Sequence, residues 1–316
     1  LIASRKTPQG LAGRAVNSVL YGPTHPLSYP AGGLPSTVES ITLDDVKAYY
    51  AAHFPRHLSG VTVSASLPQE QIIAALESLA ALEVEEAYRV PIEVLPEIKG
   101  RTLYLVNMDG AAQSSLRTAQ PSIKYDALGD YYKAGLANFI LGGTFNSRIN
   151  LNLREDKGYT YGASSGFSGG PEFGSFRVST EVNKEATGAS VTEVLNELES
   201  YAADGMNEVD YDYMRSANGQ RDALQYETPG RKLGLLGNIL RYDLPLNYRT
   251  QQKNILQETD REVLNALSKE LIQPENMAIV VVGDEATIRE ELEELGMPIK
   301  MLDADGFEIE ESARSE

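Results

Sequence analysis

The sequence predicts an α+β protein built on an antiparallel-rich sheet with helices packed on one face. Three observations predict it. Strand-type runs cluster between residues 101 and 182 and give way to a succession of helical patterns. The 316 residues are 42% hydrophobic, enough for the cores of one large or two ordinary domains. A stretch near the start also recurs near the end, so the chain holds parts of two similar units.

The repeat comes first in the chain. Pro26-Leu27-Ser28-Tyr29 precedes an amphipathic stretch over residues 41–50, then Pro55, then the apolar alternation Val61-Thr62-Val63-Ser64-Ala65. Pro245-Leu246-Asn247-Tyr248 precedes a helical stretch from Thr259 through Leu267, then Pro274, then an apolar strand over 277–284. Pro26 and Pro245 are 219 residues apart, as are Pro55 and Pro274. A helical pattern follows each strand, at 69–79 and at 285–295. Residues 1–85 therefore read as the C-terminal part of a truncated domain, 86–100 as a linker marked by Pro91 and Pro96, and 101–302 as a complete domain. Residues 303–316, rich in Asp and Glu, read as a solvated acidic tail. The alternative is a chance likeness of two helix–strand units.

Within the complete domain, residues 101–107 place Leu103 and Leu105 on one side of a strand. Asp109-Gly110 then signals a hairpin turn into a strand over 112–119. Leu128, Tyr132, Leu136, Phe139 and Ile140 recur at helical spacing until Gly142-Gly143 stops the helix. A short helix follows through Ser147, Ile149, Leu151 and Leu153. Runs at 159–167 and 173–182, separated by Ser168-Gly169-Gly170-Pro171, form an antiparallel pair. Residues 189–201 make an amphipathic helix, and further helices cover 209–225 and 231–241.

Charge and composition exclude several functions. Against 28 Lys and Arg stand 45 Asp and Glu, a net charge of −17 that repels a phosphate backbone, so nucleic acid is not a partner. With no cysteine there are no disulfides, thiolate metal sites or thiol nucleophiles. No apolar run reaches the ~18 residues needed to span a bilayer, so a soluble chain with no membrane partner is expected. The chain starts at Leu1 without a signal-peptide pattern, and any targeting segment is expected upstream, leaving the compartment unknown.

The chemistry is correspondingly narrow. His25, His53 and His57 are the only histidines, and Pro55 breaks the helix that would align the last two, so no zinc or other cofactor is expected to bind this chain. Gly162-Ala163-Ser164-Ser165-Gly166 matches the G-x-S-x-G string of a serine nucleophile, but no helix pattern follows it, and it reads better as a strand of small residues. The segment from Gly143 to Gly162 stands out. It runs from a helix carrying Arg148 and Arg154 through Gly158 into a strand whose period of two puts Tyr159 and Tyr161 on one face. An Arg fork and a phenol brought together there can grip a peptide carbonyl or a developing oxyanion. The alternative is that the arginines pair with Glu155 or Asp156 on the surface and the tyrosines pack the sheet.

This segment closely resembles the C-terminal-domain motif of the M16 zinc metallopeptidases, the family of pitrilysin, insulinase and mitochondrial processing peptidase. The resemblance covers the His25-Pro26 segment, the helix from Thr42, the strand from Val61 and residues 101 to about 300. The motif has an Arg at a helix end and a Tyr seven residues on, after a Gly; Arg154, Gly158 and Tyr161 take those positions. The resemblance implies that Arg154 and Tyr161 contact substrate from the non-zinc half of a closed chamber; Tyr159, on the same strand face, is a further candidate contact, and the peptide is expected to be held as an added strand at a sheet edge. It implies a peptide or protein substrate and a catalytic M16 half, in the same chain or a partner subunit. The inverted zinc motif H-x-x-E-H does not occur in these residues, so zinc is expected in the catalytic half and this chain alone is expected to be inactive. Two readings follow: the non-zinc portion of an M16 metalloendopeptidase, or a non-catalytic M16-like subunit in peptide binding or assembly. A serine hydrolase using Ser164 is the third.

Overall fold

A computed structural model describes residues 3–53, 60–80, 95–221 and 226–309. Helix α1 (Pro8–Tyr21) opens the chain, with Thr7 accepting from the Gly10 amide as its N-cap. A single turn α2 (Pro35–Val38), then α3 (Leu43–His53) and α4 (Gln69–Ala80) follow. Strands β1 (Thr102–Asn107) and β2 (Gln113–Ser122) lead to α5 (Asp130–Leu141), the short α6 (Arg148–Asn150) and a π-helical turn over Leu151–Asp156. Strands β3 (Thr160–Gly169) and β4 (Gly174–Asn183) precede α7 (Thr187–Asp204), α8 (Glu208–Arg221), α9 (Pro229–Tyr242), α10 (Tyr248–Glu258) and α11 (Arg261–Leu271). The chain closes with β5 (Ala278–Gly283), α12 (Glu285–Glu294) and β6 (Ile299–Leu302).

The six strands form one sheet in the order β3-β4-β2-β5-β1-β6. Its first four strands are antiparallel neighbours, whereas β1 runs parallel to both β5 and β6. The expected hairpin at Asp109-Gly110 therefore does not form, because β5 lies between β1 and β2. The turn is still tight, with Gly110 at φ 69° and the Ala111 amide bonded to the Met108 carbonyl. The six-residue apolar run of β5 is buried throughout, and central placement buries both its faces.

Alternation along the strands divides the core into layers. Leu103, Leu105, Leu116, Ile279 and Val281 face α7 and α12, while Phe176 and Val178 face the cluster built by α5, α7, α8 and α11. On the opposite face, Val106, Ala119, Val280 and Val282 receive Leu11, Ala12, Ala15, Val16 and Leu20 of α1. Thus α1, which the sequence assigns to a separate unit over residues 1–85, packs on the sheet formed within residues 102–302.

Two expected features differ. Residues 61–65, read as a strand, pair with no strand among the described residues, and Val61 and Val63 are exposed; without a neighbour, their amides have no ladder to join. Residues 303–309, read as the start of a solvated tail, fold back instead. Leu302 bridges Glu308, the Ile309 amide bonds the Met301 carbonyl, and Asp305 takes both Arg5 and Arg14 of the N-terminal segment. Of the expected linker, residues 86–94 lie outside the described residues, as do His57 and residues 310–316.

Candidate functional site

The turn carrying Arg154 is fixed from below. Ile149 and Leu153 are fully buried in the main core cluster. The Lys157 amide bonds the Asn152 carbonyl five residues back, the spacing of a π-turn, a geometry frequent at functional sites. Asn152 donates to Glu193 and Glu197 of α7, each at 3.0 Å, and Lys157 pairs with Glu193 at 3.1 Å. The Asn152 hydrogen bond, aided by Lys157, holds the Glu193 carboxyl below the usual carboxylate range, and Glu193 in return raises Lys157. Arg148 bonds Glu197 and Ser200, with its guanidinium over the Tyr201 ring, so this arginine anchors the turn to α7.

Arg154 is placed differently. Its guanidinium carbon lies 4.4 Å from the centre of the Phe145 ring, and its Nε is 3.5 Å from a Glu155 carboxylate oxygen. Its Nη1 is buried and makes no hydrogen bond among the described residues. Gly158, at φ 69°, turns the chain toward β3. The β3–β4 register slips between Thr160 and Ala163, and the Thr160 hydroxyl stitches the irregularity by accepting from the Gly162 amide at 3.0 Å. The residue thrown outward there is Tyr161, whose surface is 89% exposed. Tyr159, expected on the same face, is instead half-buried against the core.

Arg154, Tyr159, Tyr161 and Asn183 line one pocket of about 340 Å³. The guanidinium, two phenols and an amide that line it can donate to a carbonyl oxygen or carboxylate. Two residues that sequence reasoning missed hold this arrangement. Phe145 is the platform for Arg154, and buried Asn150 accepts from the Ala163 amide at 2.9 Å while donating to the Phe145 carbonyl at 2.6 Å. The signal was present in Asn146, Asn150 and Asn152, a density of asparagine that a helical turn disfavours unless the amides have tasks.

The outer edge of β3 is not free to take an added strand over 163–167. Asn150 takes the Ala163 amide, the Gly142 carbonyl takes the Ser165 amide, Asn138 donates to the Ser165 carbonyl and Tyr131 to that of Phe167. The expected strand addition of a peptide is thereby corrected for this edge. Ser164 lies within β3 and no strand-to-helix turn follows it, so the nucleophile geometry is missing. His25 is buried, accepts from the Leu27 amide at 3.0 Å and packs on Tyr21 and Phe173. Among the described residues no three His, Asp or Glu side chains gather as metal ligands would, and the donor set here does not fit a zinc ion. No helix among the described residues is long and apolar enough to cross a membrane.

A mixed sheet layered between α1 and the helices of its other face, with a pocket at the junction of a π-turn and an edge strand, defines an M16-like domain. Residues 40–218, more than half of the chain, match the family described as the peptidase M16 inactive domain, and the chain belongs to that family. It is 24% identical over 263 residues to the non-peptidase homolog YmxG of Helicobacter pylori, covering 82% of this chain and 60% of that protein. The chain thus spans less than two thirds of that relative's length. Among solved structures, it is similar to the peptidase M16 inactive domain from Pseudomonas fluorescens, with TM-score 0.75 and 24% identity over 89% of this chain and 67% of that one. A protease from Helicobacter pylori shares the fold at TM-score 0.69 and 16% identity, covering 82% of this chain and 63% of the other.

Proposed function

We propose that this chain is the non-metal half of an M16-type peptide chamber, in which Arg154 and Tyr161 hold a peptide against a zinc half carried elsewhere in the same protein or by a partner subunit. The observation that carries this reading is the meeting, in one pocket, of the Arg154 side chain with a Tyr161 side chain left almost wholly in water. A peptide carbonyl entering the pocket would meet a guanidinium and a phenol as donors, and the bond to the guanidinium would be charge-assisted. The net charge of −17 favours basic or neutral peptides.

The test is peptide turnover by the full-length protein, or by this chain with its catalytic partner. Arg154→Ala and Tyr161→Phe are each expected to lower kcat by about 10²–10³, the cost of losing one transition-state donor. Wild-type turnover in both variants would sink the proposal. The non-peptidase description of the Helicobacter pylori relative favours a second reading, a non-catalytic subunit that binds peptides or serves assembly. In that case the full-length protein would cleave nothing, yet its peptide binding would still fall in Arg154→Ala.

A further inference from the structure

We propose that the cleft between α5, α8 and α10 is a binding site for a small carboxylic acid that carries one aromatic ring. The cleft shares no lining residue with the Arg154 pocket, and the inference is independent of the function proposed above. It has two parts that meet at Tyr132, Asn218 and Gln252, which line both. The wider part holds about 170 Å³, and an apolar cavity of about 150 Å³ is enough for a benzene ring. The narrower part holds about 30 Å³, room for a group the size of a water or a carboxylate and not for a ring.

The walls differ in chemistry as the two parts differ in size. Tyr125 and Tyr131, with ring centres 5.1 Å apart and planes tilted by 53°, line the wider part together with Leu136. The Tyr131 hydroxyl is committed to the Phe167 carbonyl at 3.1 Å, so its ring is what it offers a guest, and tilted aromatic contacts are favourable. Burial pushes Tyr125 up to about 12 and raises Tyr131, so both phenols stay neutral beside an anion. Arg249 and Lys253, one turn apart on α10, line the narrower part. Among the described residues no acidic side chain lines either part, in a chain with 45 acidic residues against 28 basic ones. Gln252 is 5% exposed; its oxygen accepts from Arg249 and its amide donates to the Ala127 carbonyl at 2.6 Å, which fixes the wall where the two parts meet. Lys253 is exposed and pairs with no carboxylate among the described residues, so its ammonium can give a guest carboxylate a charge-assisted hydrogen bond. Gly135, within α5, lines the wider part, and a Cβ there would meet nothing within 4 Å. Packing does not demand this glycine, which weakens a helix interior relative to alanine, and it leaves the wall of the wider part open.

Isothermal titration calorimetry of the 316-residue chain with phenylacetate, phenylacetamide, acetate and phenethylamine tests this. Phenylacetate is expected to bind about tenfold more tightly than each of the other three, since each of those lacks the charge, lacks the ring or reverses the charge. Lys253→Gln, an exposed change, should lower the phenylacetate affinity about tenfold and leave that of phenylacetamide unmoved. Gly135→Leu, which extends a side chain from the wall of the wider part and favours the helix, should abolish binding of both. Should that variant fail to fold, the Lys253→Gln comparison decides alone. A wild-type chain that binds no phenylacetate, or binds it no better than its amide, overturns the site. So does a phenylacetate affinity unmoved by Lys253→Gln, or binding that survives in folded Gly135→Leu.

Discussion

The side-chain oxygen of Asn150 accepts the amide of Ala163 across 2.9 Å, joining the helical turn before Arg154 to the strand just after Tyr161. The same side chain donates to the carbonyl of Phe145, so one buried amide sets the platform, the arginine turn and the tyrosine strand together. Asn150→Ala leaves a buried donor and acceptor without partners and should cost about 2 kcal/mol of stability, read by urea denaturation. Asn150→Asp, which keeps the acceptor and loses the donor, should fall between. An alanine variant as stable as wild type would show that Asn150 is not the tie.

Arg14, whose side chain is only 5% exposed, pairs with Asp305 together with Arg5. Removing the carboxylate strands a buried guanidinium beneath the returning C-terminal segment, so Asp305→Ala should destabilise the chain by about 3 kcal/mol. Thermal unfolding gives the size of the loss, and limited proteolysis should show new cleavage near residues 303–309. Equal Tm values for the two proteins would contradict this role.

Glu193 supplies the pH dependence. Its folded carboxyl sits below its ordinary value because Asn152 and then Lys157 bind the charged form. A depressed carboxylate contributes stability that is fully present above the unfolded value and is lost as pH falls through the folded one. The stability gap between wild type and Glu193→Gln should therefore be about 1–2 kcal/mol at pH 7 and should close below pH 4. Chemical denaturation from pH 7 to 3 measures it, and a gap that stays constant with pH would exclude this role for the Glu193 charge.

Much of this was legible in the residues themselves. Val191, Val194, Leu195 and Leu198 mark α7, and all four are buried. The turn after Gly169 marks the β3–β4 pair. Helix α10 escaped because one of its buried residues is Gln252, whose amide serves the Ala127 carbonyl, so its inner face carries little apolar periodicity. Strand β6 is four residues long and includes Lys300, too short to alternate visibly. The parallel pairing of β1 with β5 joins residues 176 apart in the chain, and no local pattern encodes it. At the site, the spacing of Arg154 and Tyr161 drew the eye. Asn150 acts on one backbone amide and one backbone carbonyl, marked in the sequence only by the asparagines around it, and Phe145 acts by ring stacking, which leaves no motif.

The occupied rim of β3 has a consequence for the protein in concentrated solution. Exposed strand edges are the templates on which sheets of different molecules join and fibres grow. Here one end of the sheet is stoppered by two asparagines, a tyrosine and a helix terminus, and the other by the chain folding back on Met301 and Leu302. The side chains that steady Tyr161 thus also guard the molecule against aggregation through its own sheet.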